Sequence, residues 1–216
     1  MEIWLDTTNA TLIQHAKDRG LLFGVTTNPS ILAGTKQSPL DVIQELLKIQ
    51  EGPITVQVTA ATAMEMAEQG KRLHELSPRI IVKVPTTSQG LRAIRALSLA
   101  KVTTMATVIY EPLQALAAFH AGAIYAAAYV GRMEDAGLKP FETLRAIQEA
   151  IDRYYPSRKL MAASLRTKKH LLSCFDVGVA AVTLKEQPYA LFVEEHPLTC
   201  KNSEEFSSAL PAIWLY

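Results

Sequence analysis

The sequence predicts an α/β protein built as one (β/α)8 TIM barrel with an additional C-terminal helix, and three observations carry that prediction. Eight short apolar runs recur along the 216 residues, each followed by a longer stretch with helical periodicity. The alternation never gives way to a block of strands or of helices, which is the pattern of a parallel sheet. No Pro/Gly/Ser linker or low-complexity tract divides the chain, so residues 1–216 read as a single domain, with 199–216 as a terminal helix or arm.

The strand candidates, in order, are Ile3–Thr7, Leu22–Asn28, Ile54–Ala60, Ile80–Pro85, Val102–Tyr110, Ala123–Gly131, Lys159–Ser164 and Val179–Lys185. Each is short, apolar and bounded by polar or turn-forming residues. Helix candidates lie between them at Pro39–Gln50, Thr62–Leu76, Ser88–Ala100, Pro112–Ala121, Pro140–Tyr154 and Lys168–Asp176, where Ala, Leu, Glu, Gln and Arg are prominent. The small and apolar stretch from Ala115 to Gly131 approaches the length of a membrane span, but His120 and Gly122 interrupt it. It therefore reads as a helix followed by a strand. Ser203 to Trp214 supplies the terminal helix. The competing architecture, an open doubly wound sheet binding a dinucleotide, usually shows a Gly-x-Gly-x-x-Gly turn after its first strand, and none is present.

Composition narrows the function. Hydrophobic residues make up 49% and charged residues 20%, which suits a large core and argues against disorder. Twenty-two basic residues nearly balance twenty-one acidic ones, so no net field recruits nucleic acid or an anionic membrane. Cys174 and Cys200 form no Cys-x-x-Cys pair and no disulfide framework. With a start, Met1-Glu2-Ile3-Trp4-Leu5-Asp6, that lacks the features of a secretory signal, the expected setting is a reducing cytoplasm.

Lys83 is the most informative residue. It stands alone in the apolar run Ile80-Ile81-Val82-Lys83-Val84-Pro85. An ordinary lysine, with a pKa near ~10.4, is almost wholly protonated at neutral pH, whereas burial disfavours the charged form and frees the amine as a nucleophile. Such an amine can form a Schiff base with a carbonyl substrate. If Lys83 points into the barrel, period-two alternation sends Val82 and Val84 outward. The same phase brings Asp6, Thr26, Asn28, Gln57, Thr107, Tyr129 and Ser164 to the inner C-terminal face, where barrels of this type carry their active sites. Each has a simpler reading. Asp6 could cap the following helix, with Asn9 as a second cap candidate. Asn28, before Pro29, could be a turn residue. Thr26, Gln57 and Thr107 could be satisfied core polars, Tyr129 an ordinary strand aromatic, and Lys83 a snorkelling side chain. Arg132 after the sixth strand, and Ser164-Leu165-Arg166 after the seventh, offer guanidinium, hydroxyl and backbone donors suited to a phosphate. Their alternative is surface solvation or an ion pair.

Two segments carry a family resemblance. Gly24-Val25-Thr26-Thr27-Asn28-Pro29-Ser30-Ile31-Leu32 and Ile81-Val82-Lys83-Val84-Pro85-Thr86-Thr87-Ser88-Gln89-Gly90-Leu91 resemble the signatures of the transaldolase family, in its short microbial branch that includes fructose-6-phosphate aldolase. The likeness continues through Thr107, Ala128-Tyr129-Val130-Gly131-Arg132 and Ala162-Ala163-Ser164-Leu165-Arg166. The resemblance implies metal-independent Schiff-base chemistry on a dihydroxyacetone unit, with no cofactor and a sugar phosphate as substrate. It casts Lys83 as the Schiff-base lysine, and Asp6 and Asn28 as groups that orient hydroxyls and assist proton transfer. Arg132, Ser164 and Arg166 become the phosphate site. Transaldolases of the family generally carry Glu and Phe at the positions of Gln57 and Tyr129, so the Gln and Tyr found here imply the aldolase branch. There, Tyr129 with Gln57 and Thr107 would hold the water that protonates the enamine.

The resulting expectation is cleavage of fructose 6-phosphate to dihydroxyacetone and glyceraldehyde 3-phosphate, and its reversal. The first alternative is transaldolase, moving the same unit from sedoheptulose 7-phosphate to glyceraldehyde 3-phosphate in the pentose phosphate pathway. The second is a non-catalytic phosphosugar-binding barrel. A metal-dependent aldolase fits poorly, because His15, His74, His120, His170 and His196 show no ligand spacing. The family also implies a homo-oligomer, a pentamer or decamer, to which a tail bearing Trp214 and Tyr216 would contribute. Gly34-Thr35-Lys36-Gln37-Ser38 and the C-terminal residues depart most from the family pattern.

Overall fold

The computed structural model describes residues 1–209. Eight strands form a closed, all-parallel barrel in chain order: β1 (Glu2–Asp6), β2 (Gly24–Thr26), β3 (Ile54–Gln57), β4 (Ile80–Pro85), β5 (Thr104–Ile109), β6 (Tyr125–Tyr129), β7 (Lys159–Ala163) and β8 (Ala181–Leu184). β8 closes onto β1 through Glu2 opposite Ala181 and Leu5 opposite Leu184. β4 matches its expected run, β1 begins one residue earlier than expected, at Glu2, and the other strands lie within their expected runs but are trimmed where the backbone leaves the ladder to form loops. The sixth shows this most clearly: the expected strand Ala123–Gly131 stops at Tyr129, and Val130 already begins a helix.

The helices are α1 (Ala10–Asp18), α2 (Pro29–Ala33), α3 (Pro39–Ile49), α4 (Ala63–Leu76), α5 (Ser88–Leu99), α6 (Pro112–Ala121), α7 (Val130–Asp135), α8 (Pro140–Tyr154), α9 (Lys168–Val177), α10 (Glu186–Phe192) and α11 (Pro197–Ala209). Short side chains set their starts. Asn9, not Asp6, caps α1, its Oδ1 accepting from the N–H groups of Thr11 and Leu12. Thr62 and Glu65 form a reciprocal capping box on α4, an arrangement whose loss costs about 1 kcal/mol. The short helices α2, α7 and α10 were not expected, since five to seven residues are too few to display a helical period. The terminal helix begins at Pro197, before the expected Ser203; the rest of the expected arm, with Trp214 and Tyr216, lies outside the described residues.

Strand alternation separates two apolar layers. Trp4, Ile81, Met105, Tyr125, Ala127, Met161 and Ala181 fill the barrel interior, whereas Val82, Val84, Ala106, Ile109, Ala126 and Ala128 join the layer beneath the helices. This is the phase expected from an inward Lys83. The interior packing occupies the lower barrel and leaves the inward side chains at the C-terminal ends to line an open face. At the opposite end Glu2 closes the floor, accepting from Trp4 Nε1 at 3.0 Å, Lys159 Nζ at 2.5 Å and the Tyr125 hydroxyl at 3.1 Å. Gly90, in the first turn of α5, is required by close approach: a Cβ there would collide with the carbonyl oxygen of Pro85 at the end of the Lys83 strand.

Candidate active site

A cavity of about 420 Å³ opens at the C-terminal face of the barrel. Lys83 sits at its base on β4, only 5% exposed, with Nζ donating 2.9 Å to the carbonyl oxygen of Thr27. Burial drives its pKa down. The Asp6 carboxylate opposes that shift and the Arg132 guanidinium adds to it, with burial the largest effect. The snorkelling alternative is excluded, because the head is buried with the stem. Neighbouring strands set its company through register: Gln57 on β3 lies opposite Lys83, and Asp6 on β1 opposite Thr26 on β2.

The polar groups are joined across strands. Thr26 Oγ1 lies 2.8 Å from Asp6 Oδ1, to which it donates, and 2.7 Å from Thr183 Oγ1. The Tyr129 hydroxyl is 2.8 Å from Thr107 Oγ1. Its ring is held between Arg132, whose guanidinium carbon lies 4.9 Å from the ring centroid, and an edge-on Tyr110 at 6.0 Å. Burial pushes the Tyr129 phenol upward; the Thr107 hydrogen bond and Arg132 only partly offset this, so the group is protonated at neutral pH. Gln57 lines the cavity and makes no side-chain hydrogen bond among the described residues, which leaves its amide available to a ligand or water. Asn28 plays both of its sequence readings: its Oδ1 caps α2 by accepting from Ile31 N–H at 3.0 Å, and the residue lines the cavity.

Of the ten residues singled out in the sequence, nine line this cavity: Asp6, Thr26, Asn28, Gln57, Lys83, Tyr129, Arg132, Ser164 and Arg166. Thr107 does not reach it; it is fully buried and acts behind Tyr129. Two details depart from the expectation. Ser164 is not an inward strand residue, because Met161 and Ala163 lie at the inward positions of β7 and the strand ends at Ala163. It reaches the cavity from the following loop with φ +60°, a left-handed conformation that a serine adopts only when its surroundings impose it. Arg166 also differs. Its side chain forms a forked pair with Asp135, at 2.7 and 2.6 Å, and its backbone N–H donates to His170 Nδ1, so that donor is already engaged.

Alternation had further information to give. Thr183 and Lys185 line the cavity from the end of β8, in the same phase as the other inward residues, and applying the phase to the eighth run would have found them. Val108 could not have been found this way. The β5–β6 register shifts between Ala106 and Ile109, and Val108, with φ +61°, is turned to the cavity by that irregularity. The lining therefore sets Arg132 and Lys185 beside one carboxylate, Asp6, with the Asp135-paired Arg166 at the rim, a balance of charge that favours an anionic ligand. Among the described residues, no three His, Cys, Asp or Glu side chains gather as a metal set. No helix among the described residues is long and apolar enough to cross a membrane.

Comparison with known proteins places this geometry. The family model described as Transaldolase/Fructose-6-phosphate aldolase matches residues 3–212. A relative in Coprothermobacter proteolyticus, named "Probable transaldolase", is 36% identical over 95% of this chain and 94% of its own. One of the same name in Caulobacter vibrioides is 37% identical with the same coverage. Among solved structures, thiamine phosphate pyrophosphorylase from Pyrococcus furiosus superposes with a TM-score of 0.58 over 85% of each chain; at 16% identity it shares the barrel fold alone. The polar C-terminal face is thus set in a barrel whose sequence is matched almost end to end, and the chain belongs to the transaldolase/fructose-6-phosphate aldolase family.

Proposed function

We propose that this protein is a Schiff-base-forming, metal-independent aldolase that cleaves fructose 6-phosphate to dihydroxyacetone and glyceraldehyde 3-phosphate and catalyses the reverse addition. The observation that carries this reading is the pairing of a buried Lys83 amine with a neighbouring amide, Gln57, in place of an ionisable carboxyl group. The Lys83 amine attacks the substrate ketone, and loss of water leaves an iminium ion. A base, for which Asp6 is the candidate, removes the proton of the C4 hydroxyl; the C3–C4 bond breaks, glyceraldehyde 3-phosphate departs, and the bonding electrons form an enamine on the dihydroxyacetone unit. Protonation of the enamine carbon and hydrolysis of the iminium then free dihydroxyacetone and the amine.

Gln57 can donate and accept hydrogen bonds but cannot change charge, so the proton must arrive from elsewhere. The protonated Tyr129 phenol, fixed by Thr107, together with Gln57, suits a water that delivers it. Asn28 and Thr26 orient the hydroxyls of the donor half, Thr26 through its bond to Asp6. Arg132, Ser164 and Arg166 take the phosphate of the aldehyde half, a role consistent with the positive lining. The expected partner is a small sugar phosphate, the expected assembly a homo-oligomer and the expected setting the cytoplasm.

The second reading is transaldolase, in which the enamine is protected until a second aldehyde accepts it. The names of the curated relatives favour it. One assay separates the two: fructose 6-phosphate is supplied alone, glyceraldehyde 3-phosphate is followed by a coupled dehydrogenase, and the measurement is repeated with erythrose 4-phosphate. Turnover without the second sugar supports the aldolase. An absolute requirement for erythrose 4-phosphate sinks it in favour of the transferase.

A further inference from the structure

We infer that His170 is a positioning residue for recognition of the phosphorylated aldehyde, holding the Ser164–Arg166 loop in register with α7. This rests on the phosphate-site reading given above. His170 is 4% exposed, and its backbone N–H donates to Thr167 Oγ1, the cap of α9. Its imidazole joins two other elements. Nδ1 accepts the backbone N–H of Arg166 at 3.1 Å, and Nε2 lies 2.9 Å from Glu134 Oε2 on α7. Because Nδ1 accepts, the ring proton belongs on Nε2 and is donated to Glu134; the network fixes the tautomer. Phe141 packs against the ring from α8 with centroids 5.9 Å apart.

The bridge falls between two cations of the proposed phosphate site. Arg132 lies on α7 two residues before Glu134, and Arg166 is the residue whose N–H His170 holds. The loop needs such restraint. Ser164 is held at φ +60°, and a second tie across this gap is the Gly131 N–H donating to the Ser164 carbonyl at 3.0 Å. A left-handed non-glycine residue costs roughly 1–3 kcal/mol and persists only where neighbouring contacts over-determine it. Removing the imidazole frees one end of the loop, leaves the Arg166 N–H without this partner, and lets the Ser164 hydroxyl and Arg166 drift relative to Arg132. His170 itself does not line the cavity.

The test compares two acceptors for dihydroxyacetone addition, glyceraldehyde 3-phosphate and unphosphorylated glyceraldehyde, in the full-length protein. His170→Ala should raise KM for the phosphorylated aldehyde roughly tenfold, the equivalent of losing one partly buried hydrogen bond of ~1.4 kcal/mol. Its kcat, the KM for glyceraldehyde and the rate of borohydride-trapped adduct formation with dihydroxyacetone should stay within about twofold. His170→Asn, whose side-chain oxygen can accept from Arg166 N–H, should restore most of the loss. Glu134→Ala, a change at a half-exposed side chain that leaves the core intact, should raise the same KM about threefold and add nothing to His170→Ala. Equal damage with both aldehydes, or no change with either, overturns the inference. If His170→Ala does not fold, an unchanged KM in Glu134→Ala overturns it. Arg132→Ala and Arg166→Ala serve as references: if they do not discriminate the two aldehydes, the phosphate-site reading falls and this inference with it, whereas if they do and the His170 and Glu134 variants do not, this inference alone falls.

Discussion

Removing one oxygen atom from Tyr129 isolates the proton-transfer step from the covalent step. Tyr129→Phe keeps the ring, and with it the Arg132 contact at 4.9 Å and the edge-on packing of Tyr110; only the hydroxyl 2.8 Å from Thr107 is lost. The cost to stability is modest. Thr107 is fully buried, so leaving its hydroxyl without this partner removes about 1–3 kcal/mol. The cost to catalysis is larger if the phenol positions or supplies the proton. Such a group contributes roughly 10²–10⁴-fold, or ~2.7–5.4 kcal/mol of barrier. The assay has two arms: release of glyceraldehyde 3-phosphate from fructose 6-phosphate, and borohydride trapping of dihydroxyacetone on Lys83 read by mass spectrometry. Cleavage should fall by about 10²-fold or more while trapping proceeds as before. Cleavage within about threefold of the parent would refute the reasoning and remove Tyr129 from proton transfer. Parallel loss of both signals in a protein with a normal unfolding transition would place the defect in the site's structure instead.

Three further outcomes follow from the geometry. Lys83→Met should abolish trapping yet raise stability at neutral pH by about 1 kcal/mol, since it removes a buried amine at a site held for function. The parent's native state gives up the Lys83 proton below the ordinary value of 10.5 at which the unfolded chain does, so its unfolding free energy should rise with pH between the lowered pKa and 10.5. The variant should lose that slope in denaturant titrations, and an identical slope would show that Lys83 is not the buried titrating group. Glu2→Gln removes the charge that joins Lys159, Tyr125 and Trp4 across the barrel floor, and should lower the urea midpoint by an amount equivalent to ~1–3 kcal/mol with no change in KM. It should also bring the Tyr125 phenol, now pushed up to about 12 by burial and then by Glu2, down toward its ordinary value; an unmoved phenol titration counts against the contact. Gly131→Ala places a methyl group 2.5 Å from the Ser164 carbonyl oxygen and 2.6 Å from Arg166 Nε, which should cost about 1–3 kcal/mol of stability and weaken glyceraldehyde 3-phosphate more than glyceraldehyde. Equal KM changes for the two aldehydes would show that the loop does not read the phosphate.

What the amino-acid sequence determined by itself is what short-range periodicity encodes. Eight apolar runs alternating with helical stretches specify a parallel barrel, because a strand's period of two and a helix's period of 3.6 are local properties of the chain. The same period, phased on Lys83, assigned Asp6, Thr26, Gln57 and Tyr129 to one face, and carried to the eighth run it also reaches Thr183 and Lys185. The tertiary structure decided the places where that period breaks or where partners are distant. Val108 enters the cavity through a register shift, and Ser164 enters from a loop with positive φ, neither of which follows from counting by twos. Thr107 was pulled behind Tyr129, and Arg166 was tied to Asp135, partners that lie 22 and 31 residues apart in the chain. Such contacts depend on long-range closure of the barrel, whose geometry no local window contains. Lys83 shows both halves: its apolar neighbours in sequence marked it as unusual, but only the closed barrel, by removing water from the amine, sets its protonation.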